Sequence, residues 1–140
     1  MRTGAAIEAV GLTKEYRSRG RTVRAVDGLN LSVGAGEFFS LLGVNGAGKT
    51  TTIKMLCCLT RPTAGDAFLN GSSILTDPAG VKARIGVSPQ ETAVAPNLTV
   101  QENLELMCGV HGFTREKQMQ KVRQIAEELG LEDILKRKAG

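Results

Sequence analysis

Apolar and polar positions alternate cleanly along Leu29-Asn30-Leu31-Ser32-Val33, the pattern of a strand in a sheet with one solvated face. Residues 22–33 therefore read as a strand, as do residues 6–16. The intervening "RSRGRT" supplies a loop, so the opening section is expected to be antiparallel. The pattern then changes. "EFFSLL", residues 37–42, is almost continuously apolar, which predicts a strand covered on both faces in a parallel sheet. A glycine-rich loop follows, then a helix from about Gly48 to Leu59, then a turn and short strand ending at Gly71. Asp77-Pro78 combines an N-cap with proline at the first helical position and predicts a short helix to about Arg84. "RIGVSPQ", residues 84–90, reads as another strand, stopped at Pro89. Thr99 and Glu102 form a T-x-x-E capping box, opening a helix that ends at Gly109 or Gly112. Residues 114–129 predict a charged amphipathic helix stopped at Gly130, and Leu131 to Lys138 a short last helix. The expected order is antiparallel β, then mixed α/β, then α, with no internal repeat.

A chain of 140 residues suits one domain. No apolar run approaches the ~20 residues that span a bilayer, and the first twenty residues are too polar and charged for a signal peptide. A cytoplasmic protein is expected, meeting a membrane only through a partner. Cys57, Cys58 and Cys108 have no metal-like spacing and read as small buried apolar residues in a reducing compartment. The net charge of +4 gathers at Arg17, Arg19, Arg21 and Arg24 and again at Lys136, Arg137 and Lys138. Only Tyr16 lies near the arginines, so a nucleic-acid surface with stacking aromatics is not indicated. A solvated hairpin loop and a helix end account for both clusters.

The chemistry is concentrated in Gly43-Val44-Asn45-Gly46-Ala47-Gly48-Lys49-Thr50, which satisfies G-x-x-x-x-G-K-[ST]. Side-chain-free glycines let a backbone wrap an anion and aim successive N–H groups at phosphate oxygens. The following helix adds its N-terminal amides, including that of Thr51, and its dipole. Lys49 is suited to the β- and γ-phosphates, and the Thr50 hydroxyl to a magnesium ion between them. At this composition roughly one random chain in seventy would contain the pattern, and few would place it between a buried strand and a helix. P-loops serve several enzyme classes. "DPAG", residues 77–80, imitates a GTPase D-x-x-G, but the Asp-Pro pair is explained as a helix start, and no [NT]-K-x-D guanine-reading motif is present.

Several stretches together resemble the ATP-binding subunit of an ABC transporter. "LTKEY", ending at Tyr16, looks like the A-loop, whose aromatic ring stacks on adenine. "GVNGAGKTT" is similar to Walker A, with Val44 where many members carry proline. "PTAGDAFLNG" resembles the turn after the Walker A helix, "IGVSPQE" the Q-loop, and "NLTVQENL" the start of the helical subdomain. The resemblance implies ATP and Mg2+ as cofactors, with Lys49 and Gln90 as catalytic groups and Thr50 and Gln90 as metal ligands. Taken as single residues, the plainer alternatives are a Tyr16 that caps a hairpin and a Gln90 that is an ordinary polar group of a loop. His111 reads as a helix-terminal surface residue.

By this resemblance the fold is α/β, a P-loop NTPase of the ABC nucleotide-binding type. About 1–35 would form the antiparallel β section, 36–95 the P-loop core with a partial parallel sheet, and 96–140 an incomplete helical subdomain. The family's signature motif, Walker B aspartate, catalytic glutamate and switch histidine are expected beyond these residues. The chain then resembles roughly 60% of a domain of ~230 residues. Two strands would lack their shared neighbours, and their open edges invite self-association. The implied function is ATP binding, and in a longer protein ATP hydrolysis, driving transport as the motor subunit of a drug or ABC-2-type exporter. Its partners would be a membrane-spanning permease and a second nucleotide-binding domain dimerising across ATP. The 140 residues alone are expected to be inactive or nearly so. The alternatives are a soluble ABC-type ATPase acting on ribosomes or DNA, and a non-catalytic nucleotide-binding or assembly module.

Overall fold

The computed structural model describes residues 4–18, 20–88 and 94–140. Its chain divides into two units, Met1–Val87 and Ser88–Gly140.

The first unit is built on a long hairpin. Strands β1 (Ala5–Ser18) and β2 (Arg21–Gly34) pair antiparallel, with Ile7 opposite Val33, Ala9 opposite Leu31 and Tyr16 opposite Val23. The register shifts at several points along it. At one of them Gly11 and Gly28 both adopt φ of 57°, and side chains replace ladder bonds there. The Gly11 amide donates to Asn30 Oδ1 and the Gly28 amide to Thr13 Oγ1, each at 2.9 Å. Strand β3 (Ala64–Leu69) pairs with the other edge of β1, and the two-residue β4 (Ser72–Ser73) pairs with β3, giving the order β2-β1-β3-β4. Every pairing between these strands is antiparallel. The alternation predicted at 29–33 holds: Leu29 and Leu31 are half-buried, Val33 is buried, and Asn30 and Ser32 face solvent.

Helices α1 (Lys49–Leu56) and α2 (Pro78–Lys82) complete this unit. Leu12 of β1, Met55 of α1 and Val81 of α2 are fully enclosed, each burial contributing about 1.5–3 kcal/mol. Ala9, Val26, Leu56, Ala67, Leu69 and Ile74 surround them.

The structure departs from several elements expected from the sequence. Residues 37–44 and 85–88 form no strand. A strand needs a ladder partner along at least one edge and, to be buried, cover on its faces; among the described residues "EFFSLL" has neither, and Phe38 is 97% exposed and Leu42 89%. Helix α1 stops at Leu56 rather than Leu59, because Cys58 turns left-handed at φ 55° and Leu59 donates back to the Lys54 carbonyl. That puts Cys57 and Cys58 half-buried at the helix end, while Cys108 is buried as expected. Helix α2 likewise stops at Lys82, two residues short of Arg84.

In the second unit α3 (Val100–Val110) and α4 (Arg115–Leu129) pack around Cys108, Val122 and Ala126. The capping box is present in full: Glu102 N–H donates to Thr99 Oγ1, and the Thr99 amide donates to Glu102 Oε2 at 2.7 Å. The Thr99 amide and, after it, the Thr99 hydroxyl donate to the Glu102 carboxylate and hold it below the usual glutamate range. Gly130 ends α4 at φ 63°. The predicted last helix shrinks to a 3-10 turn over Glu132–Ile134. Its continuation runs beside the start of α3 instead, where the Val100 and Gln101 amides donate to the carbonyls of Arg137 and Leu135. His111 caps α3 on the surface, as read from sequence.

Candidate functional site

The loop before α1 leaves a run of backbone donors over. Ala47 N–H turns back to the Val44 carbonyl, and Thr52 N–H makes the first helical bond, to the Gly48 carbonyl. The amides of Gly46, Gly48, Lys49, Thr50 and Thr51 donate to no acceptor among the described residues. No side chain caps this helix. The start of α3 is the contrast, since Thr99, Leu135 and Arg137 consume its first three amides. The first amides of α4 are uncapped too, but among the described residues only the start of α1 follows two left-handed glycines, which turns its donors into a concavity suited to an anion.

Lys49 adds the charge. Its Nζ folds back over the loop and donates to the carbonyls of Gly43 at 2.6 Å and Val44 at 2.7 Å. No carboxylate pairs with it among the described residues, where Arg24 takes both Glu15 and Asp27. The ammonium is thus held at the loop without being neutralised. Thr50 is exposed and Thr51 half-buried. Thr52, which sequence reading passed over, is buried and donates its hydroxyl to the Gly48 carbonyl at 3.0 Å, pinning the first turn. A cavity of about 240 Å³ opens beside the loop, lined by Lys49, Ala47, Leu41 and Leu42 and by Ala25, Val26, Asp27 and Leu29 of β2.

The two inner glycines answer different demands. Gly46, at φ 85°, has open space where a side chain would stand. At Gly48, φ 84°, a Cβ would lie 2.2 Å from the Ala25 carbonyl oxygen and 3.1 Å from Val26 Cγ2. Its missing side chain lets α1 rest on β2.

Tyr16 stands on β1, 42% exposed, with the Lys14 ammonium 5.2 Å from its ring centroid. Gln90 lies outside the described residues. Asp77 behaves as the helix start the sequence suggested: it accepts from the Gly80 amide at 2.9 Å and from Ser72 Oγ at 2.8 Å. These bonds, Ser72's first, hold its carboxyl below the usual aspartate range. Among the described residues no helix is long and apolar enough to cross a membrane.

The chain matches the ABC transporter family profile over residues 26–140. The chain belongs to the ABC transporter family. Within this family it is similar to the daunorubicin/doxorubicin resistance ATP-binding protein DrrA of Streptomyces peucetius, 41% identical over 128 residues, covering 91% of this chain and 38% of that protein. It is also similar to the probable multidrug ABC transporter ATP-binding protein YbhF of Escherichia coli, 38% identical over 128 residues, covering 91% of this chain and 22% of that protein. In structure it resembles the dimeric bacterial ABC transporter cassette MJ0796, with a TM-score of 0.76 at 26% identity over 94% of this chain and 61% of that one. That likeness supports the reading of the fold as an ABC-type P-loop domain. The ABC transporter family chain described here thus spans well under half the length of the curated relatives it matches.

Proposed function

We propose that this chain is the ATP-gripping part of an ABC transporter's motor subunit. The observation that carries the reading is the set of unspent amides of Gly46, Gly48, Lys49, Thr50 and Thr51, with the Lys49 ammonium folded over the loop and paired with no carboxylate among the described residues. This donor set fits a polyphosphate. On binding, Nζ would leave the Gly43 and Val44 carbonyls for the β- and γ-phosphate oxygens, replacing neutral acceptors with charged ones. The residues around the phosphates would be Gly43, Val44, Asn45, Gly46, Ala47, Gly48, Lys49, Thr50 and Thr51, with Tyr16 against the base. Magnesium would be held by the exposed Thr50 hydroxyl and by Gln90, and when bound it would neutralise phosphate charge. A hydroxyl and an amide would supply two oxygen ligands, the rest coming from phosphate, water and a carboxylate of the longer protein.

In the longer protein, hydrolysis would drive export of a substrate through a membrane-spanning partner, with the subunit on the cytoplasmic face. A second nucleotide-binding domain would close the site, as the dimeric cassette suggests. The similarity to a drug-resistance ATP-binding protein and to a probable multidrug transporter ATP-binding protein favours this over a soluble ATPase. Calorimetry tests the site directly. Lys49→Ala should lower ATP affinity at least ~10-fold, in keeping with the ~1.5–3 kcal/mol of a hydrogen bond to a charged group. Equal affinities would remove the assignment.

A further inference from the structure

We infer that Lys14 is a positioning residue for the base-binding ring: it occupies one face of Tyr16 and leaves the opposite face as the stacking surface. The inference presupposes the nucleotide site proposed above. Lys14 and Tyr16 are two apart on β1, so their side chains leave the strand on the same side. The ammonium stands 5.2 Å from the ring centroid, inside the ~6 Å reach of a cation–π contact. It is not a loose surface charge. Nζ donates to the Arg61 carbonyl at 2.6 Å, which fixes where the cation sits. The segment carrying that carbonyl is itself fastened to β1, because Thr63 N–H donates to the Thr13 carbonyl at 2.8 Å and Glu15 N–H to Thr63 Oγ1 at 3.0 Å. Residues 61–63 are the exit from α1, the helix whose other end is the phosphate loop. One helix thus sets the donors for the phosphates at its start and, through Arg61 and Lys14, the ring for the base after its end.

The contact has a chemical consequence as well as a steric one. A cation on one face draws π-density away from the other, which lessens the repulsion between a phenol ring and an electron-rich purine stacked on it. A neutral side chain of the same length would neither hold the Arg61 carbonyl nor polarise the ring. An arginine can do both.

The test compares wild type, Lys14→Met, Lys14→Arg, Tyr16→Ala and the Lys14→Met/Tyr16→Ala double variant of the full chain, titrated with ATP and with pyrophosphate. Lys14→Met should weaken ATP about 3- to 5-fold and leave pyrophosphate unchanged, Lys14→Arg should restore ATP affinity, and Lys14→Met should have no effect once Tyr16 is alanine. The chain has one tyrosine and no tryptophan, so its fluorescence reports Tyr16 alone. Acrylamide should quench that emission more strongly in Lys14→Met, where one ring face is uncovered, and as in wild type in Lys14→Arg. Equal losses for ATP and pyrophosphate would mean that Lys14 serves the phosphates or the fold, and would overturn the inference. So would unchanged ATP affinity in Lys14→Met while Tyr16→Ala still weakens it, and the nucleotide site would survive that result. Wild type that binds no ATP, or a Tyr16→Ala variant that binds it as well as wild type, would overturn both.

Discussion

Gly46 and Gly48 share a left-handed backbone and a motif, yet they should not respond alike to the same substitution. At Gly46 an added methyl group meets nothing, so alanine brings only the ~1–2 kcal/mol of left-handed strain. At Gly48 the same methyl would overlap the Ala25 carbonyl, and α1 would have to lift off β2. The strain and the overpacking together come to roughly 2–5 kcal/mol. Urea denaturation should therefore show a modest midpoint shift for Gly46→Ala and a much larger one for Gly48→Ala; matching midpoints would contradict the packing role. The motif made both glycines visible in the sequence. The reason for the second was not visible, because Ala25 lies 23 positions away and only the fold brings it close. Lys14 escaped notice likewise, since nothing local ties residue 14 to the carbonyl of residue 61.

At the scale of elements, what could be read in advance was what local chemistry decides. The hairpin followed from alternation, α2 from Asp77-Pro78, α3 from Thr99 and Glu102, and the end of α4 from Gly130. The misses were elements whose state depends on distant partners. "EFFSLL" has a strand's composition and no neighbour to pair with, and the tail after Ile134 gives its carbonyls to α3 instead of to its own helix. The α3 cap also carries a pH dependence. Glu102 is held below its ordinary pKa by the Thr99 amide and hydroxyl, so it binds protons less readily folded than unfolded. Its contribution is therefore fully present above the unfolded value of ~4.3 and is lost as pH falls through the folded one. Thermal melts at pH 6 and pH 3 should differ more for wild type than for Glu102→Gln, which keeps a box-forming side chain without the titration. An identical difference in the two proteins would show that the carboxylate does not contribute this way.

For the molecule as a whole, residues 37–44 decide how the chain behaves in solution. Phe38 and Leu42 are almost wholly exposed and Val44 is 80% exposed, side chains that a stable monomer normally buries. Among the described residues the backbone of 38–42 has no hydrogen-bond partner either, so the segment offers apolar surface and free hydrogen-bonding groups together, the combination that recruits another strand. The wider fold to which this chain is matched is longer than the chain, which covers 61% of the MJ0796 cassette. We therefore expect the 140-residue polypeptide to self-associate through this segment. The interaction is apolar, so sedimentation velocity should show assembly that grows with concentration and persists in 0.5 M salt, where pairing through surface charges would weaken. Phe38→Lys and Leu42→Glu act on the exposed edge without touching the core around Met55, and should shift the distribution toward monomer while leaving the helical content unchanged. A wild-type polypeptide that stays monomeric at 100 µM would mean that residues 37–44 find cover within their own chain.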